Sequence, residues 1–319
     1  MTVPVVYDLA TQYPDLHITM LSREMARPLF ELLPSNVHFI GADLKGRHKG
    51  LLGLNRLIRD IHYEDFDCVA DFHNVLRSFV LRTNCRMLGQ QVAIIDKGRK
   101  GKRALTRQKD KVLVQQATSF ERYATVLEQL GFPIKPQFIK LDYSSFCETQ
   151  KAPHETWIGI APFAKHPAKV YPLEKMEQVI KALSQREDTT VFLFGGGEEE
   201  KQQIENLCAK YPHVKPAYSQ QGLKGELALM GQLDVMLSMD SANMHLASLV
   251  GTRVVSVWGG THPYAGFLGW NQNSEDCMQL NLSCRPCSVY GNKPCLRGDY
   301  ACMIGITASQ ILEKLVGHE

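Results

Sequence analysis

The sequence has no apolar run approaching the roughly 20 residues that a membrane-spanning helix requires. Its first residues, Met1-Thr2-Val3-Pro4, lack the basic-then-apolar order of a secretory signal. Charge of one sign is not in excess either. The 36 Lys and Arg against 33 Asp and Glu leave +3, too little for whole-surface binding to nucleic acid. Cysteines number nine, an odd count that cannot close into a full disulfide framework. Gly195-Gly196-Gly197 is followed by acids rather than Lys-Ser/Thr and lacks the G-x-G-x-x-G spacing, so neither glycine-rich phosphate-loop signature is present. Together these absences imply a cytoplasmic, globular chain with reduced thiols.

What is present is length and alternation. The chain has 319 residues, 44% of them hydrophobic and 22% charged, which suits two domains of ordinary size. In the first half, strand candidates at 17–21, 37–41, 67–72 and 91–96 alternate with helical patterns. Leu51, Leu54, Leu57, Ile58 and Ile61 share one helix face, and Leu76, Phe79, Val80 and Met87 mark another. A proline-bearing stretch, 132–155, reads as the connection and is a candidate for an edge strand. The second half restarts at strand 157–162. It continues through a helix opened by Pro172, strand 191–194, helices 198–211 and 223–233, strand 235–238, helix 241–250, strand 254–258 and a closing helix 306–316. Such alternation predicts parallel sheets covered on both faces. The expected architecture is α/β, two Rossmann-like domains facing a cleft: 1–150 on the acceptor side and 151–319 binding a nucleotide. A helical pattern at 3–13 opens the chain where a Rossmann-type half opens with a strand, so the first strand of domain one is missing.

The chemistry concentrates where strand 235–238 meets Asp240-Ser241-Ala242-Asn243-Met244-His245. Asp240 or Ser241 can cap the helix, and the backbone N–H groups of Ser241, Ala242, Asn243 and Met244 suit a phosphate. An ordinary capped helix is the plainer reading, but its place at the C-terminal end of a parallel strand favours a ligand. His245, one turn further, would lie near that phosphate. The loop after the next strand, Gly259-Gly260-Thr261, reaches the same sheet edge. Lys165 and Lys169, after strand 157–162, are either solvated or point charges for a diphosphate. Glu198 and Glu199, in the run that ends at Glu200, either answer the helix dipole or accept ribose hydroxyls. In domain one, His73 and Arg77 follow a strand and could meet an acceptor sugar. Lys97, Arg99, Lys100, Lys102, Arg103, Arg107, Lys109 and Lys111 form a basic run. It reads equally as a solvated loop or as a sleeve for an anionic acceptor or a peripheral contact with the inner membrane face. Cys284, Cys287, Cys295 and Cys302 have imperfect zinc spacing and read first as packed thiols, with structural zinc as the alternative.

Asp240-Ser241-Ala242-Asn243-Met244-His245-Leu246-Ala247, Gly251 and Val257-Trp258-Gly259-Gly260-Thr261-His262-Pro263 resemble the signature of glycosyltransferase family 9, the ADP-heptose:lipopolysaccharide heptosyltransferases. The segment from Asp71 to Ser78 and the cysteine-bearing tail are similar to family features too. The resemblance implies a type B glycosyltransferase fold and inverting transfer without a metal cofactor, from an ADP-sugar donor to a lipid-linked, anionic inner-core acceptor. It implies that Lys169 holds the diphosphate, that one of the acids from Glu198 to Glu200 binds ribose, and that Asp240 lies near the donor sugar. Ala242 stands where the family has glycine. The family's N-terminal strand and Gly-Asp loop, with the expected general base, would fall before Met1, which would make Met1 an internal methionine of a longer protein. Asp8, inside a helix, is a poor substitute for that base. A sugar-nucleotide epimerase of the same fold and a non-catalytic nucleotide-sugar binder are the alternatives.

Overall fold

The computed structural model describes residues 1–62 and 65–317, without the Leu51 side chain. The expectation that Leu51 shares an apolar helix face therefore lies outside the described residues. In chain order the elements are α1 (Val3–Gln12), β1 (Ile18–Arg23), β2 (Val37–Ala42), α2 (Gly50–Asp60), β3 (Cys68–Asp71), α3 (Leu76–Met87), β4 (Gln91–Ile94), α4 (Arg99–Thr106) and α5 (Ser119–Gln129). There follow β5 (Thr156–Ala161), α6 (Leu173–Ser184), β6 (Thr189–Leu193), α7 (Glu198–Lys210), β7 (Val214–Pro216), α8 (Leu223–Met230), β8 (Val235–Met239), α9 (Ala242–Leu249), β9 (Val254–Val257), β10 (Cys277–Met278), α10 (Ala301–Ile304) and α11 (Ala308–Val316).

The chain divides into two compact units, Met1–Lys97 with Ala117–Ile139, and Gly98–Gln116 with Lys140–Glu319. The excursion Gly98–Gln116 joins the second unit through specific contacts. The Lys102 ammonium sits 4.2 Å from the Phe267 ring centre, Lys111 donates to the carbonyls of Ser283 and Pro286, and Gln116 N–H donates to Tyr264 O. Two members of the basic run therefore turn inward, and only part of that run is a solvated surface.

The second unit carries a six-stranded parallel sheet in the order β10-β9-β8-β5-β6-β7. Its strands β6, β8 and β9 are mostly apolar and buried along their full length, as a sheet covered on both faces requires. Met176, Val179, Ile180 and Leu183 of α6, spaced by one helical turn, close one core with Ile204, Ile311 and Leu315. Each such buried side chain contributes about 1.5–3 kcal/mol relative to exposure. The strand order reverses between β5 and β8. In open α/β sheets that reversal leaves a crevice at the C-terminal strand ends, where ligands bind.

The first unit is less regular. β1 pairs with β2 and β3 with β4, both in parallel, as two separate two-stranded sheets, and α1 precedes the first strand. Val5 and Leu9 of α1 pack with Ile18 of β1 and Ala70 of β3. Asp8 is also buried in α1, where its Oδ1 accepts the N–H groups of Gln137 and Phe138, so its carboxylate is a structural tie. No strand occurs among the described residues of 132–155, which three prolines and the short turn Ser144–Phe146 hold irregular, against the expected edge strand.

The apolar pattern of α3 places a helix correctly, and Val80 packs against α2, but the other three apolar residues face outward. Leu76, Phe79 and Met87 are 81%, 51% and 72% exposed. The inward side carries Arg82 and Cys85 instead, because buried Asp71 pairs with the Arg82 guanidinium. A buried carboxylate without that partner would cost far more than a few exposed apolar side chains.

Candidate active site

At the switch point, the loops after β5 and β8 bring Lys169 and Asp240 together. Lys169 Nζ lies 2.8 Å from Asp240 Oδ2, both side chains largely enclosed, at ion-pair distance though not aligned for a hydrogen bond. Gly291, at φ +76°, lies against the Lys169 stem, where an added Cβ would fall 2.7 Å from Lys169 Cγ.

Asp240 leads into α9. Ser241 takes the N-cap position, but no side chain caps the helix; Ser241 Oγ instead lies 3.2 Å from Ser238 Oγ. The sequence expectation of a capping Asp240 or Ser241 is thus not met. The reason is geometric: Asp240 faces Lys169, and the Ser241 hydroxyl is engaged with Ser238. Ala242 is exposed, Asn243 half-buried and Met244 buried in the core. An uncapped N-terminus retains its partial positive charge and its outward N–H groups. Gly251, at φ +82°, ends the helix.

His245 follows one turn on. Its Nδ1 is buried without a hydrogen-bond partner, and burial pushes the imidazole down to about 3, so it is neutral at physiological pH. Thr261 Oγ1 and Asp240 Oδ2 are likewise buried without an aligned partner. Native interiors rarely leave polar atoms so. Three of them, flanking β8 and β9, mark a place suited to a polar ligand.

The loop from Gly259 to Thr261 is held from behind. Arg285, almost wholly buried, donates from Nε to Gly259 O at 2.5 Å and from Nη2 to Thr261 O at 3.0 Å. Cys287 and Ser288 N–H groups donate to Gly260 O, and Gly260 N–H to Ala168 O. The loop carbonyls thus turn toward Arg285 and its neighbours. A Cβ at Gly259 would fall 2.6 Å from Ala168 O, so this approach needs glycine. Sequence reasoning misses Arg285; its one signal is a cation between the two cysteines of a short loop.

The remaining candidates are dispersed. Lys165, Glu198 and Glu199 are exposed, with Glu198 3.9 Å from Lys201. Glu200 is committed locally, accepting Gly196 N–H at 2.7 Å. In the first unit, Asp71 Oδ1 accepts the N–H groups of His73 and Asn74, which fixes the turn before α3; His73 and Arg77 are exposed there. Of the basic run, Arg99, Lys100, Arg103, Arg107 and Lys109 are exposed. Cys284, Cys287 and Cys295 are half-buried and Cys302 is buried, all as free thiols. Among the described residues no three His, Cys, Asp or Glu side chains gather into a metal-holding group.

A parallel sheet in this order, with an ion pair and an uncapped helix at its switch point, defines an open, doubly wound α/β protein, and its fold is that of type B glycosyltransferases. The sequence profile of glycosyltransferase family 9 (heptosyltransferase) matches residues 54–295, and the chain belongs to that family. Lipopolysaccharide heptosyltransferase 3 of Escherichia coli K12 is 24% identical over 293 residues, covering 86% of this chain and 82% of that protein. The structure of E. coli ADP-heptose LPS heptosyltransferase II superposes with a TM-score of 0.66 at 18% identity, covering 98% of this chain and 93% of that one. E. coli heptosyltransferase WaaC with ADP gives 0.60 at 18% identity, covering 85% and 87%. The protein is a glycosyltransferase.

Proposed function

We propose that this enzyme transfers a heptose, or a closely related sugar, from an ADP-sugar to an anionic, lipid-linked inner-core lipopolysaccharide acceptor by inverting, metal-independent displacement. The observation that carries the reading is the uncapped start of α9 beside the Lys169–Asp240 pair at the switch point. The N–H groups of Ala242, Asn243 and Met244 and the Lys169 ammonium receive the donor diphosphate, with Lys165 as a mobile second cation. Glu198 or Glu199 accepts ribose hydroxyls. Asp240, neutral His245 and the Thr261 hydroxyl offer hydrogen-bonding atoms toward the donor, and Gly259 lets the donor approach the backbone. Exposed Arg99, Lys100 and Arg103 receive the acceptor's anionic groups, while His73 and Arg77 meet its sugar. That solved relatives carry ADP supports the choice of nucleotide.

In the reaction, an acceptor hydroxyl attacks the anomeric carbon opposite the diphosphate, and a carboxylate takes its proton. The bond to the diphosphate breaks, and negative charge gathers on the leaving oxygen. Fixed N–H groups and an ammonium stabilise that charge; losing one such donor lowers the rate by about 10²–10³. Calorimetric titration with ADP, UDP and their sugars, combined with ADP release in the presence of heptose-free lipopolysaccharide, tests the reading. Tighter ADP binding and acceptor-dependent release with anomeric inversion are expected. UDP preference, or donor epimerisation without acceptor, overturns it.

A further inference from the structure

Helix α3 turns an apolar stripe away from its own unit. Leu76, Phe79, Thr83 and Met87 recur at spacings of three, four and four and so lie along one side of the helix. Leu76 and Met87, at its two ends, are the most exposed, and Leu88, the next residue past the C-terminus, is 52% exposed. Its neighbours on the helix are engaged within the unit: Val80, beside the stripe, and Leu81 pack with Leu54 and Leu57 of α2, and Arg82 pairs with Asp71 and lies over the Phe79 ring. Large exposed apolar stripes of this kind mark interaction surfaces.

The charge on the helix selects the occupant. Between Asp71 and Asp96 there is no acidic residue and there are three arginines. Arg82 is committed to Asp71 and Arg77 is the residue proposed to meet the acceptor sugar, while Arg86 is exposed on the flank of the stripe. An apolar line edged by a cation on a short helix matches the interface of an anionic bilayer: side chains enter between head groups while the guanidinium group meets phosphates. We infer that α3 docks this enzyme on an anionic phospholipid surface. The inference deepens the proposed function and rests on it only in that a lipid-linked acceptor resides in such a surface.

The experiment is flotation of the full chain with vesicles of phosphatidylcholine alone or with phosphatidylglycerol at about a third of the lipid. The protein should float with the anionic vesicles and not with the neutral ones. Leu76→Asp with Met87→Asp should weaken that partition on the order of tenfold, and Arg86→Glu by about fivefold, with unfolding midpoints near that of the unaltered protein. Arg86→Glu changes a solvated side chain, so its reading stands even if the double variant folds poorly. Transfer to a delipidated, water-soluble acceptor should be unchanged in all of them. Equal flotation of the unaltered and altered proteins overturns the inference. So does a loss of self-association in the double variant, by light scattering, with flotation intact, for the stripe would then join two copies. Absence of transfer in every protein, with flotation as expected, would overturn the proposed reaction and leave the docking surface standing.

Discussion

Gly291 and Lys169 are packed backbone against side-chain stem: a methyl on Gly291 would stand 2.7 Å from Lys169 Cγ and 2.9 Å from its Cε. The ammonium reaches Asp240 because the glycine leaves that space and because its φ of +76° turns the loop away. Gly291→Ala should therefore do two things. The left-handed backbone costs about 1 kcal/mol with a Cβ, and the lysine stem must swing aside. The expected result is a modest fall in unfolding midpoint with a fall of about tenfold or more in ADP affinity by calorimetry. Unchanged affinity would show that the lysine position does not matter to the nucleotide.

The partly buried imidazole of His245, with its Nδ1 enclosed, sets an acid limit on stability. Burial holds its folded value near 3, whereas the unfolded side chain titrates at its ordinary 6.5. Between those values the unfolded chain binds a proton that the folded one refuses, so stability is complete above about pH 6.5 and declines as pH falls. His262, lowered to about 4 mainly by burial, acts with the same sign. Urea midpoints at pH 7.5 and 5.0 should differ less in His245→Gln than in the unaltered protein, the remaining slope reflecting His262 and other groups. Equal slopes would mean that the His245 ring is not enclosed.

How far the sequence reveals all this depends on the range of the interactions. The strands β5, β6, β8 and β9 are dominated by apolar residues, and the step from Asp240 to His245 is a local strand-to-helix signal, so both are legible. β7 and β10 have three and two residues and are too short for any periodicity. The Thr118 and Glu121 capping box is a legible start for α5, in a stretch that the strand-helix alternation leaves unassigned. Periodicity says which residues of α3 share a face but not which way the face turns; the Asp71–Arg82 pair decides that. The place of Gly98–Gln116 rests on contacts such as Lys111 with Ser283 and Pro286, which no local pattern encodes.

Arg285 is the clearest residue of that long-range kind. It bridges Gly259 O, Thr261 O and Leu280 O, and so shapes the loop beside the site without facing a donor. Arg285→Met would leave buried carbonyls unpaired, which should cost about 3 kcal/mol of stability. Arg285→Lys keeps a charge but lacks the planar fork, and should restore only part of that. Denaturant midpoints would rank unaltered, Lys and Met in that order, and KM for the donor should rise in both variants. Equal midpoints would show that the loop holds its shape without Arg285.

The Lys169–Asp240 pair predicts a separation of stability from catalysis. Lys169→Met leaves Asp240 buried beside no cation, and such a break should cost about 3 kcal/mol. It should also lower transfer by about 10²–10³. Adding Asp240→Asn removes the uncompensated carboxylate, so the double variant should regain much of the lost stability. Transfer should not return, because the cation that answers the leaving diphosphate is still missing. A thermodynamic cycle over the four proteins would give a coupling well above the few tenths of a kcal/mol expected of independent sites. If the double variant recovers turnover along with stability, the pair is a structural clasp only, and the diphosphate is stabilised elsewhere.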